Sequence, residues 1–447
     1  MKRYVLSMLI VTLAGCAARG NDAAPEPELD APAVTPVEVV LPEDLEPDEA
    51  LTADIASLRD SLGEMTTELG FGDDADSRIV VRYRGRGEVV SGDDAPFEVE
   101  YGDSDDDATV ADDPDFATWV AVHLQTGNEF EVRFPRDVLH AADDRAHERG
   151  IDRGTREPVS EASERPTVPF VEDDAALDPT TRKGWSNAQD TRTLRGTIGV
   201  AHTDSAHRRL VSLGTNGGCS GTLVGPKHIV TAAHCIRNFT NGTWRGTTAY
   251  AGRSGPSAWR SSAPYNPNPD VAATWYWVPG NFMALSDGLA DMPYSATPWD
   301  IGVIVTHASR LGETVGWMGW YWWGDNGEFA NRTRFNRGYP VCGAVNAPAS
   351  CQRLGLYGDT QACNVGEHSS TDADGIERRF RFSCDMSGGH SGSSLYSYLD
   401  SDTVAVTGVV SWEHCFTCGG DDDRPNTGVR ITREYSGIIA SLRQSMP

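Results

Sequence analysis

The stretch CDMSGGHSGSSLY, Cys384 to Tyr396, sets one serine, Ser391, among glycines with His390 directly before it. A serine hydroxyl is a weak nucleophile until a base removes its proton, so chemistry here needs an imidazole brought in from elsewhere in the chain. Glycine and serine are equally the residues of ordinary surface turns, and composition alone does not separate the two readings. A second segment is CSGTLVGPKHIVTAAHC, in which Cys219 and Cys235 flank two short apolar runs and His234 stands beside the second cysteine. The runs read as a β-hairpin, and a disulfide joining Cys219 to Cys235 would fix the segment that carries His234.

Together with WDIGVIV, which puts Asp300 at the head of an apolar strand, these segments resemble chymotrypsin-like serine proteases of the trypsin superfamily. TAAHC after CSGTLVGPKHIV is similar to the family's histidine segment, and GGHSGS to its Gly-x-Ser-Gly nucleophile loop. The family order of His, Asp, Ser implies His234 as general base, Asp300 as the carboxylate that orients it, and Ser391 as nucleophile. Asp270, Asp287 and Asp291 compete locally, but none precedes an apolar strand. The resemblance further implies an oxyanion hole from the N–H groups of Gly389 and Ser391, peptide-bond hydrolysis through an acyl-enzyme, and no cofactor. His390 stands where digestive relatives carry an aspartate that pairs with a freed N-terminus, so that activation switch is absent here.

NRGYP, CDMSGGHSGS and TGVRIT look most like the bacterial V8, or glutamyl-endopeptidase, group. Glutamate-cleaving members place a histidine before the pocket tryptophan and a threonine five residues before the nucleophile; this chain has Ser411 before Trp412, and Met386. Asp385 stands where trypsin-like relatives hold the carboxylate that receives Arg or Lys, and Glu413 adds an acid after Trp412. Asp385, Ser411, Trp412 and Glu413 are therefore the expected substrate pocket, with Asp385 bonding inside its own loop as the competing reading.

Positioning these side chains takes a large β scaffold. Short apolar runs such as HIVTAA, IGVIV and VAVTGVVSW, spaced by Gly, Pro and Asn, predict an all-β domain over 191–447. The resemblance makes it two six-stranded antiparallel β-barrels. REYSGIIASLRQSM, with Tyr435, Ile438, Ile439 and Leu442 on one face, adds a C-terminal helix. Upstream, alternating runs over 76–140 predict a small β-rich domain, and 141–190 reads as a polar linker. Residues 17–75, rich in Pro, Ala and carboxylates, read as a disordered acidic tether.

Residues 1–16 begin with Lys2 and Arg3, continue through an apolar run and end in LAGC, the layout of a secretory signal. Its end resembles the lipobox of bacterial lipoproteins, which implies lipidation of Cys16 and a membrane anchor. The expected location is exported, on the bacterial cell envelope or outside the cell. The other eight cysteines all follow residue 218, an even number that suits disulfides in an oxidising compartment. CFTC beside His414 is a rival zinc motif, but no second pair stands at matching spacing, so no metal site is expected. Cys342 with Cys351 and Cys363 with Cys384 are plausible neighbours.

The net charge of -27 belongs to the N-terminal part: residues 21–120 hold 29 Asp and Glu against 5 Arg, whereas 191–447 hold 21 acidic and 21 basic side chains. No basic patch exists to neutralise phosphates, which argues against nucleic acid as a partner. The expected partner is a protein or peptide substrate. Two rival readings are a catalytically silent protease-like binding domain and a surface adhesin built on the N-terminal part. The filled triad positions count against the first. The four tryptophans of GWMGWYWWGDNGEF read as core or barrel-end filling.

Overall fold

In the acidic N-terminal stretch, Asp48 accepts the N–H of Leu51 at 2.8 Å and opens a helix, Glu49–Glu68. Its Leu51, Leu58, Leu62 and Met65 recur on one face and are buried. Val37–Val40 pairs in parallel with Ile79–Arg86. Over residues 37–71 the expected disordered tether is corrected accordingly: the carboxylates dominate the average composition, but this apolar stripe finds a core. The computed structural model describes residues 37–71, 77–91, 113–155, 193–194, 206–214, 216–253, 273–306, 311–343, 347, 351–358, 363, 365–400, 403–412 and 426–446. The expected signal and Cys16 lie outside them, as do Glu413, Cys415 and Cys418.

Ten strands form one sheet, in the spatial order Val37–Val40, Ile79–Arg86, Asn128–Pro135, Phe116–His123, Ala273–Pro279, Gly302–Thr306, His228–Thr231, Cys219–Leu223, Leu210–Leu213 and Ala249–Ala251. The last six belong to the C-terminal part, and the first four are N-terminal strands added at its edge. The junction is antiparallel pairing of Phe116–His123 with Ala273–Pro279, from Trp275↔His123 to Pro279↔Trp119. One hydrophobic cluster accordingly takes in Leu58, Trp119 and Phe134 together with Ile304, Tyr435 and Leu442. The described residues constitute one compact unit.

A second sheet of nine strands carries Glu377–Phe382, Ser394–Tyr398 and Val404–Trp412. The C-terminal helix, Arg433–Ser445, starts at Thr432 and buries Tyr435, Ile438, Ile439 and Leu442. Where the start of a linker is expected, a helix Arg136–Glu148 runs along it, so closely that a Cβ on Gly437 would sit 2.5 Å from the Leu139 carbonyl oxygen. Polar contacts fasten the same seam. Glu129 accepts the indole N–H of Trp244 at 2.5 Å, Arg433 reaches Asp144 at 3.0 Å, and Arg136 meets Glu434. Among the described residues no helix is long and apolar enough to cross a membrane.

Candidate active site

The antiparallel register of Gly302–Thr306 on His228–Thr231 places Gly302 opposite Thr231. Asp300, two residues before the first, and His234, three after the second, therefore meet at one end of the pair. His234 sits in the short helix Ala233–Ile236, and Asp300 follows the 3-10 turn Tyr294–Trp299. Asp300 Oδ1 accepts the backbone N–H of His234 at 2.9 Å, and Oδ2 lies 2.7 Å from His234 Nδ1. A carboxylate that accepts at Oδ2 takes the hydrogen carried on Nδ1, and Nε2, the ring nitrogen on the other side, lies 3.8 Å from Cys235 Sγ. Both residues are buried, at 1% and 0% exposure.

The strand Val404–Trp412 passes behind this pair. Ser411 turns its hydroxyl onto Asp300, donating to Oδ2 at 2.6 Å. Trp412 is buried, with its ring edge-on to Tyr294 at 5.2 Å. Asp385 is buried beside Cys384.

The loop carrying Ser391 is tied directly to the histidine hairpin. The N–H of Ser220 donates to the Ser391 carbonyl at 2.8 Å, and the Ser220 hydroxyl to the Gly389 carbonyl at 2.7 Å. Gly392 has φ +80°, and a Cβ there would lie 2.1 Å from Thr231 Oγ1, so only glycine lets the loop press this close. Gly389, at φ +95°, turns the chain against Tyr339. The N–H of His390 donates to Ser387, whereas among the described residues those of Gly389 and Ser391 have no partner. This alternation leaves two donors available at Ser391, itself only partly buried. His390 itself is fully buried, with Nδ1 3.0 Å from Asn336 Oδ1.

The disulfide Cys219–Cys235 closes the hairpin over a Cα–Cα distance of 5.9 Å, and Cys235 Sγ lies 3.5 Å from the Ser391 carbonyl oxygen. Cys219, His234 and Cys235 are close enough together to suggest a metal cluster, but the sulfurs are bonded to each other and offer no thiolate. Two more bridges, Cys342–Cys351 and Cys363–Cys384, brace the segments before the nucleophile loop. Ser220 and Asn336 escaped sequence reasoning; Ser220 carried one signal, its place directly after the hairpin cysteine.

The trypsin family model matches residues 198–268, the segment that holds the hairpin and His234. Among curated proteins, a glutamyl endopeptidase of Bacillus licheniformis is 27% identical over 241 residues, 54% of this chain and 64% of that protein. An extracellular metalloprotease of Bacillus subtilis is 26% identical over 225 residues, 50% of this chain and 57% of its own length. The chain thus spans less than two thirds of either relative. Similar solved structures include a Glu endopeptidase in complex with MPD, at 19% identity and TM-score 0.41, covering 57% of this chain and 98% of that one. The protease Anisep from Arthrobacter nicotinovorans follows at 16% identity and TM-score 0.33, covering 53% and 93%.

Proposed function

We propose that the protein is an exported serine endopeptidase, with Ser391 as nucleophile, His234 as general base and Asp300 as orienting carboxylate. The observation that carries this reading is the buried Asp300–His234 pair, Oδ2 to Nδ1 2.7 Å, next to the hairpin whose Ser220 holds the Ser391 backbone. Ser391 Oγ bonds to the scissile carbonyl carbon while its proton passes to His234 Nε2. The N–H groups of Gly389 and Ser391 stabilise the oxyanion. His234 then protonates the leaving amine, and the same base activates water to hydrolyse the acyl-enzyme.

The partner is a protein or peptide substrate. A buried carboxylate facing the P1 side chain selects a cation, so Asp385 favours Lys or Arg at P1. The segment 1–16 exports the chain, and Cys16 carries a lipid that anchors it to the cell envelope. Hydrolysis of peptides differing only at P1, by the wild type and by Ser391→Ala, tests the reading. Turnover confined to the wild type and greatest after Lys or Arg supports it. Equal turnover by both proteins overturns the catalytic assignment, and preference for Glu overturns the role of Asp385 alone.

A further inference from the structure

Arg136 belongs to the N-terminal region, yet its guanidinium ends on the C-terminal helix, with Nη1 donating to Glu434 Oε2 at 2.5 Å. Arg378, from the strand Glu377–Phe382, donates to that same oxygen at 2.8 Å. All three side chains are buried, at 6%, 3% and 1% exposure for Arg136, Glu434 and Arg378. Arg378 also stacks on the ring of Trp299, Cζ to centroid 3.9 Å, and Trp299 is the residue before Asp300. Beside Glu434, the hydroxyl of Tyr435 donates to the Pro298 carbonyl at 2.8 Å. The turn that ends at Asp300 is thus held twice, at the Trp299 ring through Arg378 and at the Pro298 backbone through Tyr435.

One carboxylate oxygen shared by two guanidinium groups is a balanced arrangement. If Arg136 is removed, Glu434 is left to draw Arg378 alone, and the stack on Trp299 shifts with it. The surroundings resist relaxation elsewhere, because Arg136 also donates through Nε to the Asp113 carbonyl at 3.0 Å and its helix is packed against Gly437. Burial raises the Glu434 carboxyl's pKa, but Arg378 and Arg136 outweigh this and hold it below the ordinary value, so the shared oxygen stays anionic.

We propose that Arg136 is a positioning residue, which acts through Glu434, Arg378 and Trp299 to seat Asp300. The N-terminal region is then a permanent working part of the peptidase and not a spacer or a segment to be shed. This rests on the reading of Asp300 as the orienting carboxylate.

The test compares full-length wild type, Arg136→Gln and Arg136→Lys on one good peptide substrate, with folded protein quantified by near-UV circular dichroism. A small misplacement of a catalytic group is felt in turnover more than in substrate binding, so kcat falls about tenfold to a hundredfold in Arg136→Gln, with KM little changed. Arg136→Lys, which keeps the charge and is the safer variant to fold, recovers part of kcat. Wild-type kcat in both folded variants, or a loss carried by KM alone, overturns the proposal. No hydrolysis by the wild type overturns the reading of the site as well, and that failure is recognised before any variant is compared.

Discussion

Exchanging Asp300 for Asn keeps the side-chain shape but replaces one acceptor oxygen by an NH2 donor. Asp300 accepts from the His234 N–H at 2.9 Å on Oδ1, and from His234 Nδ1 at 2.7 Å and Ser411 Oγ at 2.6 Å on Oδ2. Whichever way the amide turns, a donor meets a donor in a site without water access. With the NH2 at the Oδ2 position, the imidazole keeps a hydrogen bond only as the other tautomer, its hydrogen on Nε2, and that nitrogen cannot take the Ser391 proton. The expected fall in kcat is about four decades, roughly 5.4 kcal/mol of barrier at about 1.36 kcal/mol per decade. Steady-state hydrolysis of a peptide cleaved by the wild type measures it, with circular dichroism to confirm folding. Folded Asp300→Asn turning over within tenfold of wild type would show that Asp300 does not set the histidine tautomer.

Ser411→Ala removes one charge-assisted hydrogen bond and leaves both histidine contacts, so it costs about 1.5–3 kcal/mol of stability and far less kcat than Asp300→Asn; urea unfolding and peptide hydrolysis check the two halves. Gly389→Ala would place a Cβ 2.5 Å from the Tyr339 carbonyl at a positive φ, so the loop must move and kcat should drop about a hundredfold or more, read against unchanged secondary structure; activity near wild type would refute the oxyanion role. His228 is fully buried, and burial with the nearby Arg443 and Lys227 lowers its pKa to about 3. The fold therefore favours neutral imidazole, and this stability, present above about pH 6.5, is lost as pH falls toward 3, up to about 5 kcal/mol as an order of magnitude. His228→Gln, which can still donate to the Leu442 carbonyl, should move the acid-unfolding midpoint to lower pH; an unmoved midpoint would refute it.

The candidate site was legible in sequence wherever a local pattern carried it. CSGTLVGPKHIVTAAHC marks its hairpin by alternation and paired cysteines, and GGHSGS marks its loop by glycines that a positive φ requires. The bond from Ser411 to Asp300 was not legible, because a serine before a tryptophan has no local signature and the contact arises only when Val404–Trp412 crosses behind the aspartate. The N-terminal part was misread for the same kind of reason. The pairing of Trp119 with Pro279 spans 160 residues of chain, and nothing in either strand names the other. Arg136 likewise sits in an ordinary helix start until the fold delivers Glu434 to it.

The central claim is that the Ser391 hydroxyl is activated by His234. Incubating the full chain with a fluorophosphonate and locating the adduct by mass spectrometry tests it most directly. The expected adduct is on Ser391, absent in Ser391→Ala and strongly slowed in His234→Ala. Folded protein that takes up no label, or labels equally well without the imidazole, would contradict the account.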